Sequence, residues 1–290
     1  MRRVLTVYKK DLHNYFSTFT GYVFIAAILL SGGIYVFINN FMNGYASFGT
    51  SINSVPFFFV FLIPVISAGV FTDEKRQKTD QLLYTLPLTS RQIVFGKYLA
   101  LITVLAVPLL ILGIYPLIMS AYGEVNFAQA YSNLFAIFLL GMALCAICMF
   151  ISSLTESIII SAVLCFACMF ILYQMNSFAD SLTASQRNSI IGFAIIAVAL
   201  AVFIWYMTKN IYIALVPALI VAIALVAINN VSKVAMAGKL NLVMSGISVF
   251  NRINNFMNGI LDVTAIIYYI SIIVLFVLFT VYTFERKRWN

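Results

Sequence analysis

The chain has 290 residues, 63% of them hydrophobic and only 9% charged, with 17 Lys+Arg against 9 Asp+Glu. A soluble domain carries about 25% charged residues, so this supply cannot coat a water-soluble globule. A soluble single-domain enzyme is excluded, and so is a disordered chain, which needs low hydrophobicity and high charge. What remains is an all-α polytopic membrane protein.

At the N-terminus, Leu5, Tyr8, Leu12, Tyr15, Phe16 and Phe19 recur at helical spacing, while Arg2, Arg3, Lys9, Lys10, His13 and Asn14 fall mostly elsewhere. The pattern predicts an interfacial amphipathic helix over 1–20, lying flat before the first span. Lys9, Lys10 and Asp11 interrupt the stretch, and no small-residue cleavage site follows the first apolar run, so it is not read as a cleaved signal. His13, the single histidine, sits on the polar side and is read as interfacial rather than catalytic or metal-binding.

No charged residue occurs between Asp11 and Asp73, and further charge-free gaps run on to Glu285. A spanning helix needs about 20 apolar residues, and a charge at mid-membrane costs about 2.5 kcal/mol or more. The gaps predict eight spans, at 21–38, 56–72, 97–121, 129–152, 157–176, 189–207, 211–228 and 264–283. Only Thr208, Lys209 and Asn210 separate the sixth from the seventh; if that pair does not cross, the count is six and the parity is unchanged. With the N-terminus inside, 13 Lys and Arg residues face the cytoplasm, and Arg187, Lys233, Lys239 and Arg252 face out. That asymmetry predicts both termini in the cytoplasm. The basic clusters suit anionic lipid head groups better than nucleic acid.

The cytoplasmic loop 73–97 is the most informative segment. Its first part, about 73–86, reads as a helix capped by Thr72 with Asp73 and Glu74 in the first turn. Pro87 breaks it, and Thr89 or Ser90 caps the helix that follows. The segment is either an ordinary solvated helix or a docking helix, since Leu82, Leu83 and Leu86 place apolar bulk beside Lys75, Arg76 and Lys78. Between the fourth and fifth spans, Ser153 and Glu156 have the spacing of a capping box, with a substrate or ATPase contact as the alternative. Cys145, Cys148, Cys165 and Cys168 pair at C-x-x-C spacing in consecutive spans. They are read as small packing residues rather than a zinc site.

Beyond 228, Val243, Ile247, Phe250, Ile253, Met257 and Ile260 repeat at helical spacing. The stretch 229–263 is therefore an outer amphipathic segment, either a cap over the spans or a gate or docking face. Asp262 caps the last span or pairs with Arg252. Residues 264–290 form that span and a basic tail. No predicted span interior holds an ionisable residue, which counts against ion-coupled transport. No G-x-x-x-x-G-K-[ST] phosphate cradle occurs.

Taken in order, these features carry a resemblance. Glu74, Thr79, Leu82, Leu83, Leu86, Pro87, Ile93, Gly96 and Lys97 in the loop, then Ile151-Ser-Ser-Leu-Thr-Glu156, resemble the membrane subunit of an ABC transporter of the type-2 permease family. The C-terminal pattern Phe250, Arg252, Phe256, Gly259, Asp262, Tyr268-Tyr269 and Glu285 to Trp289 is similar to the gliding-motility-associated branch. That family has a six-span core, so 189–228 departs from it as an inserted hairpin.

The resemblance implies that a separate P-loop ATPase supplies the energy, with ATP and magnesium bound there and no cofactor or metal in this chain. It implies ATPase coupling through Glu74, Lys75, Arg76, Lys78, Thr79, Leu82, Leu83 and Leu86. A second permease subunit, identical or not, completes the transporter. Phe58, Phe61, Ser67 and Gln174 line a substrate path if the family's dimer interface carries over. An outer gate or partner face falls on Arg252, Phe256 and Asp262, and the branch implies a membrane-anchored partner with an extracytoplasmic domain. The rival functions are an ATP-independent secondary transporter or channel, and a structural anchor.

Overall fold

A computed structural model describes residues 2–44, 48–78, 88–121, 123–181, 246, 248–257 and 262–289. The predicted spans 189–207 and 211–228, the loop residues 79–87 and most of the outer segment lie outside the described residues. The chain divides into two compact units, residues 1–173 with 252–290 and residues 174–251. The architecture below is that of the first.

The described elements are helical throughout. They are α1 (Arg2–Ser17), α2 (Phe19–Val36) running into a π-helical turn Phe37–Met42, α3 (Phe48–Ile52), α4 (Val55–Ser67), α5 (Gly69–Arg76), α6 (Ser90–Leu112), α7 (Tyr115–Met119), α8 (Phe127–Leu154), α9 (Ile158–Ser181), the turn α10 (Asn254–Met257) and α11 (Val263–Trp289). Six stretches among the described residues are long and apolar enough to cross a membrane: Phe19–Met42, Val55–Arg76, Ser90–Met119, Phe127–Leu154, Ile158–Met175 and Val263–Arg286. They coincide with the six predicted spans that fall within the described residues.

The centre of the unit is α8, which packs against α4, α5, α6 and α11. Its helix is apolar on nearly every side, and Ala136, Leu140, Ala143, Leu144 and Cys148 are wholly buried. A helix hydrophobic all round belongs in the middle of a bundle. Small residues let neighbours close on it: a Cβ at Gly141 would lie 2.7 Å from Leu105 of α6 and 3.1 Å from Phe59 of α4. The outward sides of α2, α9 and α11 leave large apolar residues such as Leu30, Ile159 and Tyr282 uncovered by this chain. Lipid is the solvent that such faces fit.

Two boundaries differ from expectation. The second span continues past 72 to Arg76, and the third starts at Ser90 rather than 97. Thr72 is not a cap: it lies inside α5, buried, and its hydroxyl donates to Ala68 O at 2.6 Å. The described helix ends at Arg76, with Lys78 at φ +54°, a left-handed conformation that stops a helix abruptly. Thr89 does cap α6, in a full capping box with Gln92.

α1 also turns a different face to the bundle. Val7 and Asp11, one helical turn apart, are buried, whereas Leu5 is exposed. The helix lies directly on α6, where a Cβ at Gly96 would meet Val7 at 2.8 Å and Val4 O at 3.1 Å. Only glycine allows this approach.

Candidate functional site at the charged end of the bundle

The end of the bundle that carries α1 gathers the two loop segments picked out in the sequence. Lys97, on the second turn of α6, is buried, with its side chain only 3% exposed. Its Nζ lies 3.0 Å from Glu74 Oε2 of α5 and 3.4 Å from Asp11 Oδ2 of α1. It also donates to Val70 O at 2.9 Å and stands 5.3 Å from the centre of the Phe71 ring. Lys10 closes the other side of Glu74, Nζ to Oε1 at 2.8 Å. A buried ammonium is tolerated only when paired and hydrogen-bonded, and here three helices contribute to that pairing.

Electrostatics follow from the burial. Burial pushes the Asp11 carboxyl above the ordinary carboxylate range, against the pull of Lys97. Burial works the other way on Lys10, but the hydrogen bond and charge of Glu74 outweigh it and hold the ammonium above its usual pKa. Beside this cluster a cleft of about 440 Å³ opens between α1 and α5, reached by Lys10, Asp11, Asp73, Glu74 and Lys97.

A second set of contacts ties α5 to α8. Pro64 has no N–H to give to the turn before it, and one turn on the helical ladder loosens around Ala68, whose backbone stays helical. Ser152 of α8 enters there: its hydroxyl donates to Ala68 O at 2.8 Å and accepts from Phe71 N at 3.3 Å. One turn on, Lys75 Nζ donates to Ser153 O at 2.8 Å and Thr155 O at 2.5 Å. These are carbonyls at the C-terminal end of α8, which a cation satisfies both by hydrogen bonding and by charge. Phe71 packs its ring 5.8 Å from Phe284 of α11.

The Ser153–Glu156 capping box is therefore overturned. Ser153 lies in the last turn of α8, its hydroxyl donating to Phe150 O, and α9 begins only at Ile158. Glu156 is exposed.

Of the predicted coupling residues, Glu74 and Lys75 point inward, to Lys97 and to α8, while Arg76 and Lys78 are exposed. Thr79, Leu82, Leu83 and Leu86 lie outside the described residues. The path residues are spread out. Phe58 packs edge-on to Tyr35, Phe61 packs tilted against Phe166, and Ser67 is buried with its hydroxyl on Ile63 O. Gln174 lies far along α9. At the opposite end of the unit, Arg252 sits 5.1 Å over the Tyr268 ring and Phe256 is wholly buried. Asp262 caps α11, accepting from Thr264 N at 2.9 Å and Ala265 N at 3.3 Å. All four cysteines are free, and Cys165 Sγ lies 3.5 Å from Cys148 O, so the thiol-bearing turns of α8 and α9 do meet. Among the described residues no three His, Cys, Asp or Glu side chains are grouped to hold a metal ion.

Sequence reasoning missed Lys97 as a buried anchor, along with Asp11 and Ser152. The one available signal was a lysine opening a long apolar run with a glycine just before it.

The sequence model of the family described as ABC-2 family transporter protein matches residues 8–215, well over half of the chain. The chain belongs to the ABC-2 transporter family. The match takes in α1 from Tyr8 onward, the charged cluster and both interlocked segments, 70–76 and 151–156. A comparison with curated proteins finds no relative. As an ABC-2 family member the chain is the membrane-embedded permease component of an ABC transporter.

Proposed function

We propose that this ABC-2 permease works as one of a pair, driven by a separate P-loop ATPase that docks on the segment 73–86. The observation that carries the reading is the double clasp on α5. Lys97 and Lys10 fasten it to α6 and α1, and Lys75 with Ser152 fastens it to α8. A helix held by three neighbours passes a displacement at its tip to all of them at once, as a rigid-body switch requires. Arg76 and Lys78, exposed at that tip, supply the charge for docking. ATP and magnesium belong to the ATPase, which closes, tilts the two permeases and moves substrate, or force, outward. The distribution of basic residues supports a reading with both termini in the cytoplasm and the protein in the cytoplasmic membrane. The C-terminal pattern favours the gliding-motility-associated branch, with Arg252, Phe256 and Asp262 near the face offered to a membrane-anchored partner with an outer domain.

An ATP-independent transporter gains one supporting observation, the ionisable Lys97–Glu74–Asp11 cluster at a membrane-spanning helix. The cluster lies at the helix ends rather than mid-span, which suits an anchor better than an ion path.

Tagged protein from native membranes, purified in mild detergent, separates the readings. An ATPase subunit co-purifies in stoichiometric amount and is lost from the triple variant Arg76→Glu, Lys78→Glu, Leu83→Asp, whose thermal midpoint stays that of the unaltered protein. Retention of the ATPase by that variant sinks the docking segment. Absence of any ATPase, with proton flux in vesicles, favours the rival.

A further inference from the structure

On the side of α1 away from the charged cluster, a second hollow runs between α1 and α6, with a volume of about 770 Å³. Phe95, Leu99 and Thr103 form its floor, one helical turn apart along α6, and Leu5 and Tyr8 of α1 form one wall. Phe95, Leu99 and Leu5 are all exposed, left uncovered by this chain. At the deep end Tyr8 Oη and Thr103 Oγ1 satisfy each other at 3.2 Å. At the mouth stands Arg91, exposed, in the first turn of α6. Among the described residues no acid lines the hollow and no ion pair involves Arg91. The cleft on the other side of α1 is the reverse, lined by Asp11, Asp73 and Glu74.

We infer that this groove is a binding site for an anionic phospholipid, with one acyl chain along the floor and the phosphate on Arg91. Two features of the geometry select that occupant. From Arg91 to Thr103 the floor is about 18 Å long at 1.5 Å per residue, close to the ~15 Å depth of one leaflet of a ~30 Å hydrocarbon core. The trough is mainly apolar, its two deep hydroxyls are satisfied by each other, and its one cation, Arg91, stands with Gln92 at the mouth, which is the pattern of a lipid in miniature. A guanidinium grips a phosphate through a planar, two-pronged set of donors. Free phosphate uses only the mouth, and a neutral lipid uses only the trough. The inference goes beyond the transport reading and needs only that α6 spans the membrane.

Native mass spectrometry of the full chain in mild detergent tests it, with phosphatidylglycerol and phosphatidylcholine of equal chain length as probes. The unaltered protein retains phosphatidylglycerol over phosphatidylcholine, and Arg91→Ala lowers that preference about fivefold, the worth of one cation at a lipid surface. Lys9→Ala, which removes an exposed cation of α1 that does not line the groove, leaves the preference within twofold. Leu99→Trp and, separately, Leu5→Trp fill the trough and lower retention of both lipids; because both side chains are exposed, folding is spared, as an unchanged thermal midpoint verifies. Excess inorganic phosphate does not displace the lipid.

Four outcomes overturn the proposal. Arg91→Ala keeps full preference; Lys9→Ala loses as much as Arg91→Ala, which is bulk charge attraction; both tryptophan variants retain lipid as before; or a second copy of the chain, not lipid, occupies the groove and is released by the tryptophans.

Discussion

At the end of the bundle that carries α1, four helices are tied by ammonium groups: Lys97 and Lys10 on carboxylates, Lys75 on helix-end carbonyls. At the opposite end, Arg252 over the Tyr268 ring apart, the ties described are neutral or local. Asn126 caps α8 through Gln129 N, Asp262 caps α11, and the Ser51 hydroxyl donates to the buried Asn40 amide. Asn133 is wholly buried there, with neither amide atom hydrogen-bonded, and a Cβ at Gly49 would lie 2.7 Å from its nitrogen. The first end is expensive to take apart and specific about which helices meet. The second holds a polar group whose removal costs little, so rigidity is concentrated where α5 is gripped.

The largest test of that contrast is Lys97→Met. It strands Glu74 and Asp11 with Lys10 as the nearest cation, and breaking a buried pair in this way costs about 3–5 kcal/mol. Detergent-solubilised protein heated in steps should lose its monodisperse peak at a much lower temperature than the unaltered chain. Loss no greater than for a surface lysine such as Lys9 would mean that the cluster anchors nothing. Next comes Lys75→Met, which leaves two carbonyls at the end of α8 short of a donor, at about 1–3 kcal/mol. Its heating midpoint should fall less than that of Lys97→Met, and amide exchange should rise locally at 152–155.

Asn133→Leu should go the opposite way. Replacing an unsatisfied buried amide by an apolar group of similar shape is neutral or stabilising, so the midpoint should hold or rise by the equivalent of up to about 1 kcal/mol. A fall as large as that for Lys75→Met would place an essential ligand on that amide and erase the contrast. The smallest effect is on pH. The folded state holds the Asp11 proton more tightly than the unfolded chain does. This contribution is therefore complete at low pH and is lost as pH rises from the ordinary carboxylate range to the raised value. Asp11→Asn should flatten the stability–pH curve in that window and leave its alkaline limb unchanged.

Much of this was legible in the sequence, and the misses have physical causes. Charge-free gaps located the six spans within the described residues because hydrocarbon penalises every charge alike. Thr89 was legible as one of two candidate caps, with Ser90, because a cap is a local device; the Gln92 half of the box decides between them. Lys97 was not, because its partners come from α1 and α5, and periodicity says nothing about which distant helix supplies a counter-charge. Ser153 and Glu156 have capping-box spacing, but Lys75 satisfies the carbonyls at Ser153 and Thr155 and extends α8 past that point. Thr72 failed as a cap for a similar reason: Ser152 supports the loosened turn at Ala68, so the helix runs on past Thr72. The coupling residues divide along the same line, since residue type marks Glu74 and Lys75 as surface charges and only packing turns them inward.

At Ala68 the second span stays helical, with φ −59° and ψ −37°, but its hydrogen bonding there is shared with Ser152 of α8. Below it, α5 is a foot clamped to α1, α6 and α8; above it, α4 is an arm of 13 residues, about 20 Å long at 1.5 Å per residue. For an arm of that length, each degree of tilt at the joint sweeps its far end through about 0.3 Å. Ten degrees is enough to shift Val55 and Phe57 by half a helix radius or more, and such a tilt requires α4 to re-seat its contacts with α2 and α8. A joint at this turn would act as a lever, with small strain at one end of the span read out as ångström-scale travel at the other.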